Sequence, residues 1–226
     1  MTGAEDAVRG TALELVRDLS LESEVVRSLR QGTIDRGIYE ALLVQLHKIE
    51  SALESIASSV PDALALAGRA AGDGEREDHP RGSELIAADL EALWSCPRAQ
   101  VFVRLDAVEP SPAVVLLVGV FETILERYPW TVVAPMVLLD EVSAALRDPA
   151  RELHARRPWP EVERTTSFLE RAPERLRSLG GASLLEQVAT ERELDAVIMT
   201  ARTVAHLIEA LFEGFAHGSG RGVSRA

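Results

Sequence analysis

Cysteine, lysine and aromatic residues are all scarce in this chain of 226 residues. The single cysteine, Cys96, excludes an internal disulfide and any zinc site built from several cysteines, and fits a reducing cytoplasm. Aromatic residues make up 4% of the chain, so a core drawn from its 46% hydrophobic content must be mostly Leu, Ala and Val. That composition favours packed helices over a β-sandwich. Lys48 is the only lysine; the preference for arginine fits a GC-rich bacterial genome and points to no chemistry. Positive charge is in the minority. A net charge of −12 makes nucleic acid and anionic membranes poor partners. Long apolar runs are missing too. The most apolar, Ala113 to Phe121, falls short of the ~18 residues that a membrane span needs, and is expected to be a buried core helix. Glu5 and Asp6 stand where a signal peptide would be basic, so no targeting segment is expected.

Most motifs that carry a mechanism are also lacking. There is no Walker A loop and no GxGxxG after a strand; the glycines of 218–222 lack the flanking elements such a loop needs. No GxSxG elbow, CxxC pair, HExxH or paired EExxH helices occur.

What is present is helical periodicity. The stretch Gly32 to Glu54 has a start, an apolar stripe and a polar back. Gly32 suits the left-handed stop of a preceding helix, and Thr33 or Asp35 can cap the next. At roughly 100° per residue, Ile38, Leu42, Gln45, Leu46, Ile49, Ala52, Leu53 and Ile56 share one arc, with Glu40, His47, Ser51 and Glu54 opposite. This helix is expected to stop before Pro61. Residues 4–30 are also predicted helical, with Leu13, Val16, Leu19, Val25, Val26 and Leu29 inside and Ser20 capping a second segment. Residues 68–82 are Gly-rich and charged and predict a surface loop. Further helices are predicted over 83–94, 99–107, 112–128, 132–147, 161–179 and 183–215, with a proline-rich connection between 147 and 160. The helices over 36–56 and 183–215 carry the longest apolar stripes and are expected to pack near one another. No stretch alternates with period two, so the fold class is all-α, one helical domain over 1–217 with a disordered tail at 218–226.

Five histidines are candidate ligands. Glu40, His47 and Glu54 follow each other at seven-residue spacing and share a face, which makes Glu40 and His47 the only metal candidates; a solvated polar face is the plainer account. His206 lies among charges on the last helix, solvated or locally paired. His79 and His217 lie in the charged loop and beside the tail. His154 falls in the proline-rich connection, where it could sit on a lid. Trp94, Trp130 and Trp159 are expected to pack structurally, and Cys96 to be a small, partly buried residue.

The pattern Gly32, Ile34, Tyr39, Leu42-Leu43, Leu46, Ile49, Ala52-Leu53-Glu54 resembles the second helix region of heme oxygenases. SELIAADLEAL (83–93) is similar to their short helix with an Asp-Leu pair, and ARTVAHLIEALFEGF (201–215) to their final helix. The resemblance covers roughly a third of the chain, in order, and implies a heme-oxygenase-like multi-helix bundle. The family's proximal ligand is a first-helix histidine; counting back from Gly32 lands on Arg17, and no histidine precedes His47. A guanidinium offers iron no lone pair. The family's distal Gly-Asp-x-x-Gly-Gly run corresponds to 116–135, which has Gly119 but no glycine pair, and where Tyr128 and Trp130 would crowd the porphyrin face. The late His-xxx-Asp-xx-His helix of the related di-iron oxidases is absent, and Cys96 is not on the helix that carries the cysteine of thiaminase-type relatives.

The resemblance therefore implies a divergent heme-oxygenase-like protein that binds a different small ligand or a protein partner, with heme not held in the family's usual way. A heme oxygenase or heme binder with an unorthodox ligand, and a non-heme iron oxidase, are the alternatives. Whether the chain is catalytic stays open.

Overall fold

The structure, a computed structural model, describes residues 3–66, 81–171, 174–186, 188 and 190–216; residues 68–80 of the loop expected at 68–82, and the tail at 218–226, lie outside them, and Gly82, expected in that loop, is helical. Every regular element among the described residues is helical.

Helix α1 spans Gly3–Glu22 and α2 spans Glu24–Gln31. The break falls at Ser23, not Ser20: the Ser23 hydroxyl accepts from Val26 N and caps α2. Gly32 takes the left-handed conformation (φ 62°), and its N–H and that of Thr33 return to Leu29 O and Ser28 O. Asp35 then accepts from Gly37 N at 2.7 Å and opens α3, Arg36–Leu66. This helix does not stop before Pro61 but runs through it, because burial of Ile56, Ala57, Val60 and Leu64 outweighs one lost backbone bond.

Helix α4 is Gly82–Trp94, closed by Ser95 in the left-handed region, and α5 is Arg98–Ala107. Ser111 caps α6, Pro112–Arg127, through Val114 N. Pro129 breaks the path into one 3-10 turn, Pro129–Val132. Helix α7, Val133–Arg156, passes through Pro149, so the expected connection from 147 is helix as far as the left-handed Arg157. Pro149 and Ala150 are both buried, and the core holds that stretch helical.

The single helix expected over 161–179 is instead a 3-10 turn, Pro160–Arg164, then α8, Ser167–Arg171, and α9, Arg175–Ser178. Side chains elsewhere in the fold capture its free N–H groups and cut it into pieces, as described below. The last stretch divides into α10, Gly181–Glu186, and α11, Glu191–Ala216. A reciprocal box starts α11: Glu193 N donates to Thr190 Oγ1, and Thr190 N donates to Glu193 Oε2.

One continuous apolar core joins these helices. Helix α7 is its axis and packs on α1, α2, α8, α9 and α11. The stretch Pro129–Arg156 is apolar and long enough to cross a membrane, but 72% of its most apolar window is buried in the protein, as in a core helix. Helix α3 packs mainly on α4 and α6, and α11 on α1, α7 and α6. The two long helices thus meet through α6 and the 129–132 turn rather than as principal neighbours. Leu13, expected inside, is 55% exposed, and Ile38 is 37% exposed. The apolar run on α6 is buried on one face only: Val114, Leu117 and Phe121 are inside, whereas Val115 and Leu116 face out.

Candidate functional site

The most unusual group of side chains lies between α3 and α7. Glu50 sits on the seam Leu43, Leu46, Leu53, Ala57 of α3, where every other member is apolar. Asp140 and Ser143 project from α7, and Arg175 enters at the start of α9. Arg175 and Glu50 are each 1% exposed. Arg175 Nε donates to both Glu50 oxygens at 3.0 Å, Nη1 to Asp140 Oδ1 at 3.0 Å, and Nη2 to Glu50 Oε1 and to Ser143 Oγ, the latter at 3.0 Å. The guanidinium also lies 6.0 Å from the Phe168 ring centroid. Burial alone would make the guanidinium easier to deprotonate; the Glu50 and Asp140 carboxylates outweigh it and keep it charged.

Asp140 does a second job. Its two oxygens accept from Arg175 N (2.7 Å) and Leu176 N (3.1 Å), capping α9. Burial raises its carboxyl above the ordinary range against the pull of Arg175. On α4, a Cβ at Gly82 would come within 2.5 Å of Glu50 Oε2, so glycine is what allows α4 to begin against this cluster. The group ties α3, α7 and α9 together, with acceptors for Nε, Nη1 and Nη2 of Arg175 drawn from two helices. It is a brace between elements distant in sequence.

A second buried carboxylate organises the neighbouring turn. Asp89 of α4 is fully buried, and accepts from Ser167 N (3.1 Å) and Phe168 N (2.9 Å), which fixes the start of α8. Burial pushes its carboxyl up to about 6 despite those bonds. Tyr39 of α3, also buried, donates to Thr165 O at 2.6 Å and lies 5.6 Å from the Trp159 ring. His154 is not on a lid: it sits in the last turn of α7 with Nδ1 2.9 Å from Glu170 Oε1. Burial would raise the Glu170 carboxyl, but its bonds with His154 and Thr166 hold it below the usual value.

His47 is half-buried, not on a solvated face. Its ring lies edge-on to Phe102 of α5, with centroids 6.3 Å apart, and Ser51 Oγ is 3.4 Å from Nδ1. Burial, helped by Lys48 and Arg98, lowers its pKa to about 4, so the imidazole is neutral at pH 7. Glu54 leaves the polar face as well: it accepts from Ser83 N (3.0 Å) and Ser83 Oγ (2.6 Å) at the start of α4. Glu40 is half-buried. Among the described residues no group of three or more His, Cys, Asp or Glu side chains is arranged to hold a metal.

No protein-family model matches the chain, and no curated protein matches it in sequence. Solved structures do match in shape. Heme oxygenase from Leptospira interrogans superposes with a TM-score of 0.64 at 16% identity, over 93% of this chain and 98% of that one. A domain of unknown function with a heme oxygenase-like fold from Shewanella denitrificans gives 0.70 at 11%, over 96% of each chain. Heme oxygenase-2 from Synechocystis, in complex with heme and NO, gives 0.70 at 16%, over 96% of this chain and 86% of that one. The chain has a heme-oxygenase-like fold.

Within this heme-oxygenase-like bundle, the positions singled out by sequence are scattered. Arg17 lies on α1 with its side chain exposed. Gly119 is half-buried on α6, with no atom within 4 Å of where a Cβ would stand. Tyr128 is 53% exposed and stacks edge-on against the half-buried Trp130, centroids 5.6 Å apart. Tyr128 is therefore at the surface rather than in the interior. His206 is exposed beside Glu209, and Cys96 is half-buried. Sequence reasoning passed over Glu50, Asp140 and Arg175. The signal available was a carboxylate inside an apolar seam, visible at Glu50 and again at Asp140; their common partner Arg175 carried no signal of its own.

Proposed function

We propose that this chain uses a heme-oxygenase-like fold without orthodox heme ligation, and binds a different small ligand or a protein partner. One observation carries the reading. The first helix has no histidine, and Arg17, which stands where the resemblance places a proximal ligand, is exposed and cationic. The interior adds support, because Glu50, Arg175 and Asp140 meet between α3, α7 and α9 and pair with one another there.

A second reading, a heme or metal binder with an unorthodox ligand, is favoured by one feature only: the His47 imidazole is neutral at pH 7 and so has a lone pair to offer. Titration with hemin separates the two. Wild-type protein is expected to give no sharp Soret band, and Arg17→His none either. A strong Soret band in the wild type that survives dilution and disappears in His47→Ala would overturn the first reading and establish the second. A non-heme iron oxidase resting on Glu40 and His47 requires iron that copurifies in stoichiometric amount and is lost in Glu40→Ala.

A further inference from the structure

We propose that Asp89 is a proton-operated catch for α8: the helix stays docked when this carboxyl is protonated and opens more often when it is ionised. The inference goes beyond the reading above and stands whether or not the chain binds a ligand. It rests on placement. Asp89 is fully buried, and its oxygens bond with Ser167 and Phe168 at the start of α8. Among the described residues no arginine, lysine or histidine bonds with it. Helix α8 has five residues, too few to persist unaided. It is held by Asp89 at its start, by Tyr39 donating to Thr165 O just before it, by the His154–Glu170 pair towards its end, and by the burial of Phe168 and Leu169. Opening α8 withdraws two N–H groups from Asp89 and lets water reach the carboxyl.

The groups around Asp89 give an ionised carboxylate little relief. Tyr39 faces it from α3 and Glu170 from α8. His154 and Arg151 of α7 stand beyond Glu170 and act on that carboxylate. Other charges on the elements packed against α4 are engaged elsewhere. Arg36 binds Leu93 O and pairs with Glu161 of the 3-10 turn, while Glu50 and Glu54 meet the first turn of α4 at Gly82 and Ser83. Lys48 donates to Leu105 O, and on α5 Arg98 pairs with Glu91 and Arg104 stacks on Trp94. A buried carboxylate with no cation is costly when ionised, and two backbone donors offset only part of that cost. In water the penalty vanishes. Burial, with Glu170 pushing the same way, raises Asp89 to about 6 against an ordinary value of about 4. A carboxyl whose pKa is higher docked than open favours docking at low pH, and that contribution is lost as pH rises through the docked value. Between pH 5 and pH 7.5 the opening constant should therefore grow about tenfold.

Hydrogen exchange of the full chain, followed by NMR at the Ser167 and Phe168 amides, tests this. These amides are expected to be less protected than the core of α7, because α8 opens on its own. With the intrinsic pH dependence of exchange removed, their opening constant in the wild type should be about tenfold larger at pH 7.5 than at pH 5. Asp89→Asn keeps an acceptor oxygen and cannot ionise, so its opening constant should be the same at both pH values. Titration of the Asp89 carboxyl carbon in the wild type gives a second measurement that needs no variant, with an expected midpoint near 6. A midpoint near 4 overturns the proposal. So does a wild-type ratio below about threefold, exchange of the two amides only through global unfolding, or a pH response that survives in Asp89→Asn.

Discussion

Replacing Arg175 by Met tests whether the Glu50–Asp140–Arg175 group braces the bundle. The side chains of Arg175, Glu50 and Asp140 are 1%, 2% and 10% exposed. Methionine keeps much of the volume and removes the guanidinium, leaving two carboxylates buried without a cation. Breaking a buried pair from one side costs about 3–5 kcal/mol, because the surviving charge stays desolvated. Against a total of roughly 5–15 kcal/mol this is a large loss. For a chain of 226 residues it corresponds to a fall of roughly 6–20 °C in melting temperature. The loss must also depend on pH. Asp140 already titrates above its ordinary value through burial. Without Arg175, the Asp140 carboxyl moves further above its unfolded value of about 4. A carboxyl raised in the folded state favours folding at low pH, and that contribution is lost as pH rises through the folded pKa. The deficit of Arg175→Met should therefore be greatest near pH 7.5 and shrink towards pH 5. Adding Glu50→Gln should recover part of it at neutral pH. Urea unfolding at the two pH values measures all of this. A deficit below ~1 kcal/mol at pH 7.5, or one equal at both pH values, would refute the account of Arg175 as the counter-ion of a buried acidic pair.

Three further outcomes follow from the same packing. Asp89→Asn should flatten the wild type's pH dependence: with its folded pKa at about 6, Asp89 adds stability as pH falls through that value, and thermal melts at pH 5.5 and 7.5 will show whether the asparagine variant has lost the gain. His47 works in the opposite direction, since a histidine at about 4 in the folded state penalises folding below the unfolded value of about 6.5, so His47→Gln should gain on wild type at pH 5 but not at pH 7.5. Leu46→Ala, at a buried core position, should cost roughly 2–5 kcal/mol, whereas Arg17→His on the exposed side of α1 should change stability by less than about 0.5 kcal/mol; equal losses in denaturant melts would contradict the packing described for both helices.

Much of the fold was legible in the sequence because helices announce themselves locally. The apolar stripe of α3, the left-handed stop at Gly32 and the all-α class need only period, capping chemistry and the absence of alternation. The resemblance carried by Gly32 to Glu54, 83–93 and 201–215 pointed to the heme-oxygenase-like bundle that the solved structures match. Only the tertiary structure decided where local signals are overruled. Pro61 and Pro149 look like stops, yet both helices continue because the core on either side holds them. The stretch 161–179 has helical propensity, yet Asp89 and Asp140 capture its N–H groups at 167–168 and 175–176 and divide it. Glu50 could have been noticed as a carboxylate in an apolar seam, but its partner lies 125 residues away, and no local pattern reveals a distance across a fold. The same reason separates His47 from its expected solvated face: a helix period fixes which residues share a side, whereas the approach of Phe102 on α5 decides which sides are dry.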